Sequence, residues 1–235
     1  MTHQPTHPMM NILAIDCAFS QLQLGLCHGD NVHCRELGEV RDHSRHLLDQ
    51  IDRLLLETKV TPEQLSAIAF GQGPGSFTGL RIAVGVVQGL AYGLEIPVIP
   101  IPSMNVIATR VLRDYSAEHV TVALHARADE VYLARFQRGD NFLPVQVGPY
   151  EVGSATDFAI PTQHCEILAG GGADTFAEFA PGYYGAFDQA VTAAQSNIGD
   201  LIELAKVEFA AGQWVDPMVA SPIYVREEVA KKPVL

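Results

Sequence analysis

Charge is scarce in this chain, and positive charge scarcer: 18% of its 235 residues are charged, and 15 basic against 27 acidic residues leave a formal net charge of −12. Such a balance opposes unaided binding along a phosphate backbone, so any nucleic acid must be held mainly by something else. Cysteine is sparse as well. Cys17, Cys27, Cys34 and Cys165 form no C-x-x-C pair, which argues against a zinc site. Three of them fall on predicted strands, where cysteine behaves as a small buried hydrophobe. The longest uncharged apolar run, Ile82 to Leu94, has 13 residues, short of the about 20 that span a bilayer. No membrane segment is expected. The N-terminus, Met1-Thr-His-Gln-Pro-Thr-His-Pro, is polar and proline-interrupted rather than a signal peptide, which makes the cytoplasm the expected location. The sequence also lacks H-E-x-x-H, G-x-G-x-x-G and the Gly-Lys-[Ser/Thr] ending of a Walker loop.

What is present is apolar. At 48% hydrophobic residues the chain is a folded globular protein, and its length suits one large domain or two lobes of about a hundred residues each. Asn11 to Ala18, Gln21 to Cys27 and Val32 to Leu37 read as a three-strand meander across Gly29-Asp30. Leu47, Leu48, Ile51, Leu54 and Leu55 recur at helical spacing, with Asp42 or Ser44 available as N-cap. Thr61-Pro62-Glu63-Gln64 is a capping box with proline at the first helical position. A strand from Leu65 to Phe70, a buried helix from Gly79 to Leu94 and a strand from Pro97 to Ile101 follow. Ser103 is expected to cap a helix to about Arg113, ahead of strands at Val120 to Leu124 and Glu130 to Phe136. Weaker signals place a strand at Glu166 to Ala169, a Gly170-Gly171-Gly172 turn, a helix from Asn197 to about Ala211 and an extended tail. Two successive strand-led units with interleaved helices predict an α/β, two-lobed, actin-like fold: duplicated ribonuclease-H-like units with mixed sheets flanked by helices. The expected lobes are 1–110 and 111–204, with 205–235 packing on the first.

Gly71-Gln-Gly-Pro-Gly-Ser-Phe-Thr-Gly-Leu-Arg81 concentrates special-backbone residues and hydroxyls between a strand and a helix. A glycine-rich turn of this kind lets backbone N–H groups point at an anion near the helix start. It reads equally as a tight turn whose glycines serve only the backbone. Asp16 ends the first strand, where an actin-like ATPase places a carboxylate near the phosphates, yet Cys17-Ala18-Phe19 offers little hydrogen bonding for a phosphate loop. Asp16, Gly73, Gly75 and Ser76 are therefore a degenerate nucleotide site at most. Gly85, Gly89 and Gly93 repeat every four residues and lay one bare stripe along their helix, at roughly 2 to 3 kcal/mol relative to alanine. Close approach of a neighbour, the chain's own sheet or a partner helix, would offset that. His43 and His46 can share a helix face, which allows a metal site but is commoner for surface histidines.

Ile12-Leu-Ala-Ile-Asp16, His43-Ser-Arg-His-Leu-Leu48, the stretch from Ala67 to Arg81 and Ala91-Tyr-Gly-Leu-Glu-Ile-Pro-Val-Ile-Pro100 resemble the TsaB (YeaZ) family. The match continues weakly through Ala126-Arg127 and Glu130-Val-Tyr132 and reappears in Pro222 to Lys232. The resemblance implies a part in making N6-threonylcarbamoyladenosine beside the anticodon of tRNA. It implies a non-catalytic subunit that pairs with TsaD, the transferase, in a complex with the ATPase TsaE, supplied by a TsaC-type synthase. It also implies a homodimer when the chain is alone, and contact with tRNA through the complex.

On that reading the partner surface lies on helices 43–57 and 79–94, at His43, His46, Leu47, Gln50, Leu54, Arg81, Gly85, Gln88, Gly89 and Tyr92. TsaD carries a His-His-Met-Glu-Gly-His stretch of metal ligands, and here Ser103 and Ile107 stand at the ligand positions. No metal, no cofactor and no transferase activity are expected of the isolated chain. Two departures from the family are Cys17-Ala18 after Asp16 and His125 in place of an aspartate. The competing readings are an actin-like ATPase using Asp16 and the Gly71 to Gly79 loop, and a metalloprotease.

Overall fold

Alternation and turn chemistry lay down the first sheet. In the computed structural model, which describes residues 10–39, 46–161 and 165–225, β1 (Asn11–Asp16), β2 (Gln21–His28) and β3 (Asn31–Glu39) form the expected antiparallel meander. β4 (Ala67–Gly73) and β5 (Val98–Pro102) add in parallel beyond β1, giving the order β3-β2-β1-β4-β5. β4 begins two residues later than its apolar run predicts and carries on through the first glycines of the loop. Leu13, Ile15, Leu22, Leu24 and Leu26 point to one face, where they meet Leu47, Ile51, Leu54 and Leu55 of α1 (Leu47–Thr58) and Ala83, Val87 and Ala91 of α2 (Phe77–Leu94). The N-caps expected for α1, Asp42 and Ser44, lie outside the described residues. The capping box forms a single 3-10 turn, Pro62–Gln64, with Thr61 N–H donating to Gln64 Oε1 at 2.8 Å.

α2 differs from its expectation. It is not buried all round: Leu80, Ala83, Val84, Val87 and Ala91 are covered, while Arg81, Gly85, Gly89, Tyr92 and Gly93 face outward. With 18 residues and a mean hydropathy of 1.3 it has the length and composition of a membrane-crossing helix. Its inner side is packed on β4 and β1, as in a sheet-covering helix.

The second sheet repeats the first. β6 (His119–Arg127), β7 (Glu130–Arg138) and β8 (Pro144–Ser154) are antiparallel neighbours, and β9 (Cys165–Ala169) and β10 (Phe187–Val191) add in parallel, in the order β10-β9-β6-β7-β8. One face is covered by α3 (Ser103–Asp114). The other meets α4 (Gly172–Phe179) and α5 (Pro181–Tyr184), where the Phe176 and Tyr183 rings stack with centroids 4.2 Å apart. Finally α6 (Ile198–Ala210), capped by Asn197 Oδ1 accepting from Gly199 N–H, packs on the first sheet opposite α1 and α2.

Each helix that follows a unit's fifth strand thus joins the other unit. One compact unit comprises the chain up to Pro102 with Ser196–Pro222, and the other contains Ser103–Gln195. These limits differ from those expected at 110 and 204, because a helix's apolar stripe shows that it is covered but not by which sheet.

Candidate functional site

Asp16 is the last residue of β1, and alternation turns it away from α2 toward the face that α6 covers. It is buried. Its Oδ1 accepts from Ala18 N–H at 2.8 Å and its Oδ2 from Ser196 Oγ–H at 2.6 Å. Burial holds its carboxyl above the ordinary aspartate value, an effect the Ser196 and Ala18 hydrogen bonds partly offset. Burial, and then the Asp16 charge, also push the Cys17 thiol up, which keeps it unreactive.

The glycine loop closes directly onto this strand end. A Cβ at Gly71 would lie 2.3 Å from Asp16 Oδ1, one at Gly75 2.2 Å from Ala18 O, and one at Gly79 2.0 Å from Cys17 O. No side chain fits at Gly75 or Gly79, since what it would strike is backbone. Ser76 N–H donates to Ala18 O at 2.7 Å, and Ser76 Oγ accepts from Gly79 N–H at 3.2 Å as the N-cap of α2. Two of the amides that a phosphate would seek at this helix start, those of Ser76 and Gly79, therefore already have partners within the chain. Asp16, Gly75 and Ser76 come together around residues 16–18, while Gly73, at φ +92, faces Leu80.

The outward side of α2 is the opposite case. Among the described residues, a Cβ at Gly85, Gly89 or Gly93 would meet nothing within 4 Å. Beside the stripe Tyr92 is 66% exposed, and at the helix start Phe77 is 62% exposed with the Arg81 guanidinium 3.3 Å above its ring. Of the expected partner surface on α1 and before it, His46 and Gln50 are accessible, whereas Leu47 and Leu54 are turned into the core. Leu48 and Leu56, absent from that surface as read from the sequence, are the apolar side chains that α1 exposes. Leu56 lies off the apolar stripe read from the sequence, which was the available signal; Leu48 was counted on that stripe, and the structure turns it outward. Gln88 is half-buried and donates from Nε2 to Ala220 O at 2.9 Å. His43 lies outside the described residues.

Ser103 and Ile107 are fully buried on α3. Among the described residues no three His, Cys, Asp or Glu side chains gather as a metal would require. His125 is exposed, its Nδ1 3.3 Å from Thr175 Oγ1. Ser196, which holds Asp16 from 180 residues away, had no signal in the sequence.

Comparison with known proteins gives this arrangement a family. The family model for TsaD, tRNA N6-adenosine threonylcarbamoyltransferase, matches residues 38–152. The tRNA threonylcarbamoyladenosine biosynthesis protein TsaB of Haemophilus influenzae is 31% identical over 232 residues, 95% of this chain and 96% of that one. Its counterpart in Escherichia coli is 36% identical over 132 residues, 56% of this chain and 57% of that protein. The solved structure of YeaZ from Pseudomonas aeruginosa superposes with a TM-score of 0.80 at 32% identity, covering 92% of this chain and 100% of that one. A second structure, described as similar to peptidase YEAZ from the same organism, gives a TM-score of 0.82 at 32% identity and covers 93% and 100%. With a relative of that identity matched along nearly its whole length, and with the duplicated actin-like fold in common, the chain belongs to the TsaB family.

Proposed function

We propose that this chain serves tRNA N6-threonylcarbamoyladenosine formation as a non-catalytic subunit of a cytoplasmic complex, binding and activating a TsaD-type transferase, with a TsaE-type ATPase as further member. The observation that carries this reading is the open glycine stripe. Three interior glycines weaken a helix, and among the described residues nothing comes near enough to benefit from them. A partner helix laid along Gly85, Gly89 and Gly93 would gain close backbone contact, with the exposed Tyr92 and Phe77 of the same helix supplying apolar area. In the absence of that partner a second copy of the chain takes the same face. Contact with tRNA falls to the partners, in line with a net charge of −12.

The test is co-purification and calorimetry with the TsaD of the same organism. Gly89→Trp should fold normally, because the added ring enters open space, and should weaken association at least tenfold. Unchanged affinity in that variant would overturn the assignment of the face. Against an ATPase stands the engagement of two loop amides within the chain, Ser76 N–H on Ala18 O and Gly79 N–H on Ser76 Oγ. Titration of the pure chain with magnesium ATP is expected to give no saturable heat.

A further inference from the structure

Beyond the last turn of α2 lies a groove of about 560 Å³ whose lining includes Tyr92, Glu95, Ile96, Trp214, Asp216 and Pro217. Its second wall is pinned in place. Val215 exchanges both backbone hydrogen bonds with Val98, at 2.8 and 3.0 Å, and Ala220 O and Ser221 O accept from the Gln88 and Gln72 amides. Asp216 Oδ1 is fixed by Met218 N–H at 2.8 Å. The groove therefore exists before any ligand arrives.

Its chemistry is one-sided. Tyr92 and Trp214 flank it, 66% and 50% exposed. Glu95 and Asp216 bring two carboxylates, and the C-terminal end of an 18-residue helix, with no basic residue in its last turn, adds the negative end of the helix dipole. No lining residue is basic, and neither carboxylate makes an ion pair among the described residues. Two aromatic faces with two carboxylates select a cation, and the apolar floor at Ile96 and Pro97 selects one on an alkyl stem. A planar guanidinium meets all of these demands, stacking on a ring while forking onto carboxylates, which an ammonium does less well.

We propose that this groove is a receptor for an arginine side chain presented by a protein partner. The inference goes beyond the glycine-stripe reading and does not need it. Trp214 is the single tryptophan of the chain, so its fluorescence reports this groove alone. The full chain is titrated with an acetylated, amidated Gly-Arg-Gly peptide and with the same peptide carrying citrulline, the neutral isostere. The expected result is a saturable fluorescence change with at least tenfold tighter binding of the arginine peptide, weakened by added salt. Glu95→Gln with Asp216→Asn, which keeps the Met218 hydrogen bond, should lose that tenfold at unchanged melting temperature. Equal response to arginine and citrulline, or an unaffected double variant, would overturn the proposal. Because no transferase is present in the titration, its failure leaves the proposed TsaD contact standing, and the reverse holds too.

Discussion

In the first unit the parallel pair β1–β4 sets Ile15 opposite Phe70, so that Asp16 comes beside Gly71; in the second, β6–β9 sets Val122 opposite Ala169, so that Ala123 comes beside Gly170. Both positions, Asp16 at the end of β1 and Ala123 within β6, are roofed by a glycine turn that no side chain could replace. A Cβ at Gly75 would sit 2.2 Å from Ala18 O, and one at Gly172 would sit 2.7 Å from the Ala123 carbonyl carbon. The packing device is duplicated, but the carboxylate is not. The comparison teaches that glycine spacing in the loop answers first to backbone approach, and that any chemistry there is added to one unit only.

The largest test breaks the shared device. Gly75→Ala and Gly172→Ala should each destabilise their unit by about 3 kcal/mol, the scale of forcing atoms into a packed interior. Urea unfolding followed by Trp214 fluorescence reports the first unit, and far-ultraviolet circular dichroism reports both. If Gly172→Ala unfolds like the parent, the second turn is loose and the likeness is one of strand order alone.

Ser196→Ala removes the hydroxyl that serves Asp16 Oδ2 and leaves a buried carboxylate short of a donor. The expected loss is about 2 kcal/mol, in the range for hydrogen bonds to charged groups. No such pair stands at Ala123, so the loss should appear only in the Trp214 transition. A change below about 0.5 kcal/mol would mean that a water replaces the hydroxyl.

Asp16 also gives the first unit a pH response. Burial raises its folded value above the ordinary 3.8. As pH rises past that point the unfolded chain releases the proton while the folded chain keeps it, so stability falls across the window between the two values and then levels off. Asp16→Asn retains both hydrogen-bonding partners and removes the titration. Its advantage in urea midpoint over the parent should therefore grow from about pH 4 upward and then plateau. An advantage that shrinks with rising pH would reverse the assigned direction.

Much of this fold was legible because its signals are local. The meander, the capping box at Thr61 and the Asn197 cap of α6 each rest on neighbours within four residues. β8 and β10 carried no such signal: their exposed, mixed-polarity residues lie at the edges of the second sheet, where no continuous apolar run is needed. The site was legible in half. Glycine periodicity revealed the stripe, but which side of α2 would be covered depends on the sheet. Leu47 and Leu54 went to the core for the same reason, and Trp214 joins Tyr92 only through the pairing of Val215 with Val98.

The smallest effect separates the two kinds of glycine within one helix. Gly79 opens α2 against Cys17 O, whereas Gly89, nearly three turns on, faces open space among the described residues. Gly89→Ala should therefore stabilise the isolated chain by about 1 kcal/mol, the full difference in helix propensity. Gly85→Ala and Gly93→Ala should behave alike and add nearly independently, since no neighbour couples them. Thermal melts at two protein concentrations tenfold apart make the measurement. A gain at low concentration that disappears at high concentration would show a second copy already lying against the stripe, because the methyl groups then obstruct that contact while still strengthening the helix.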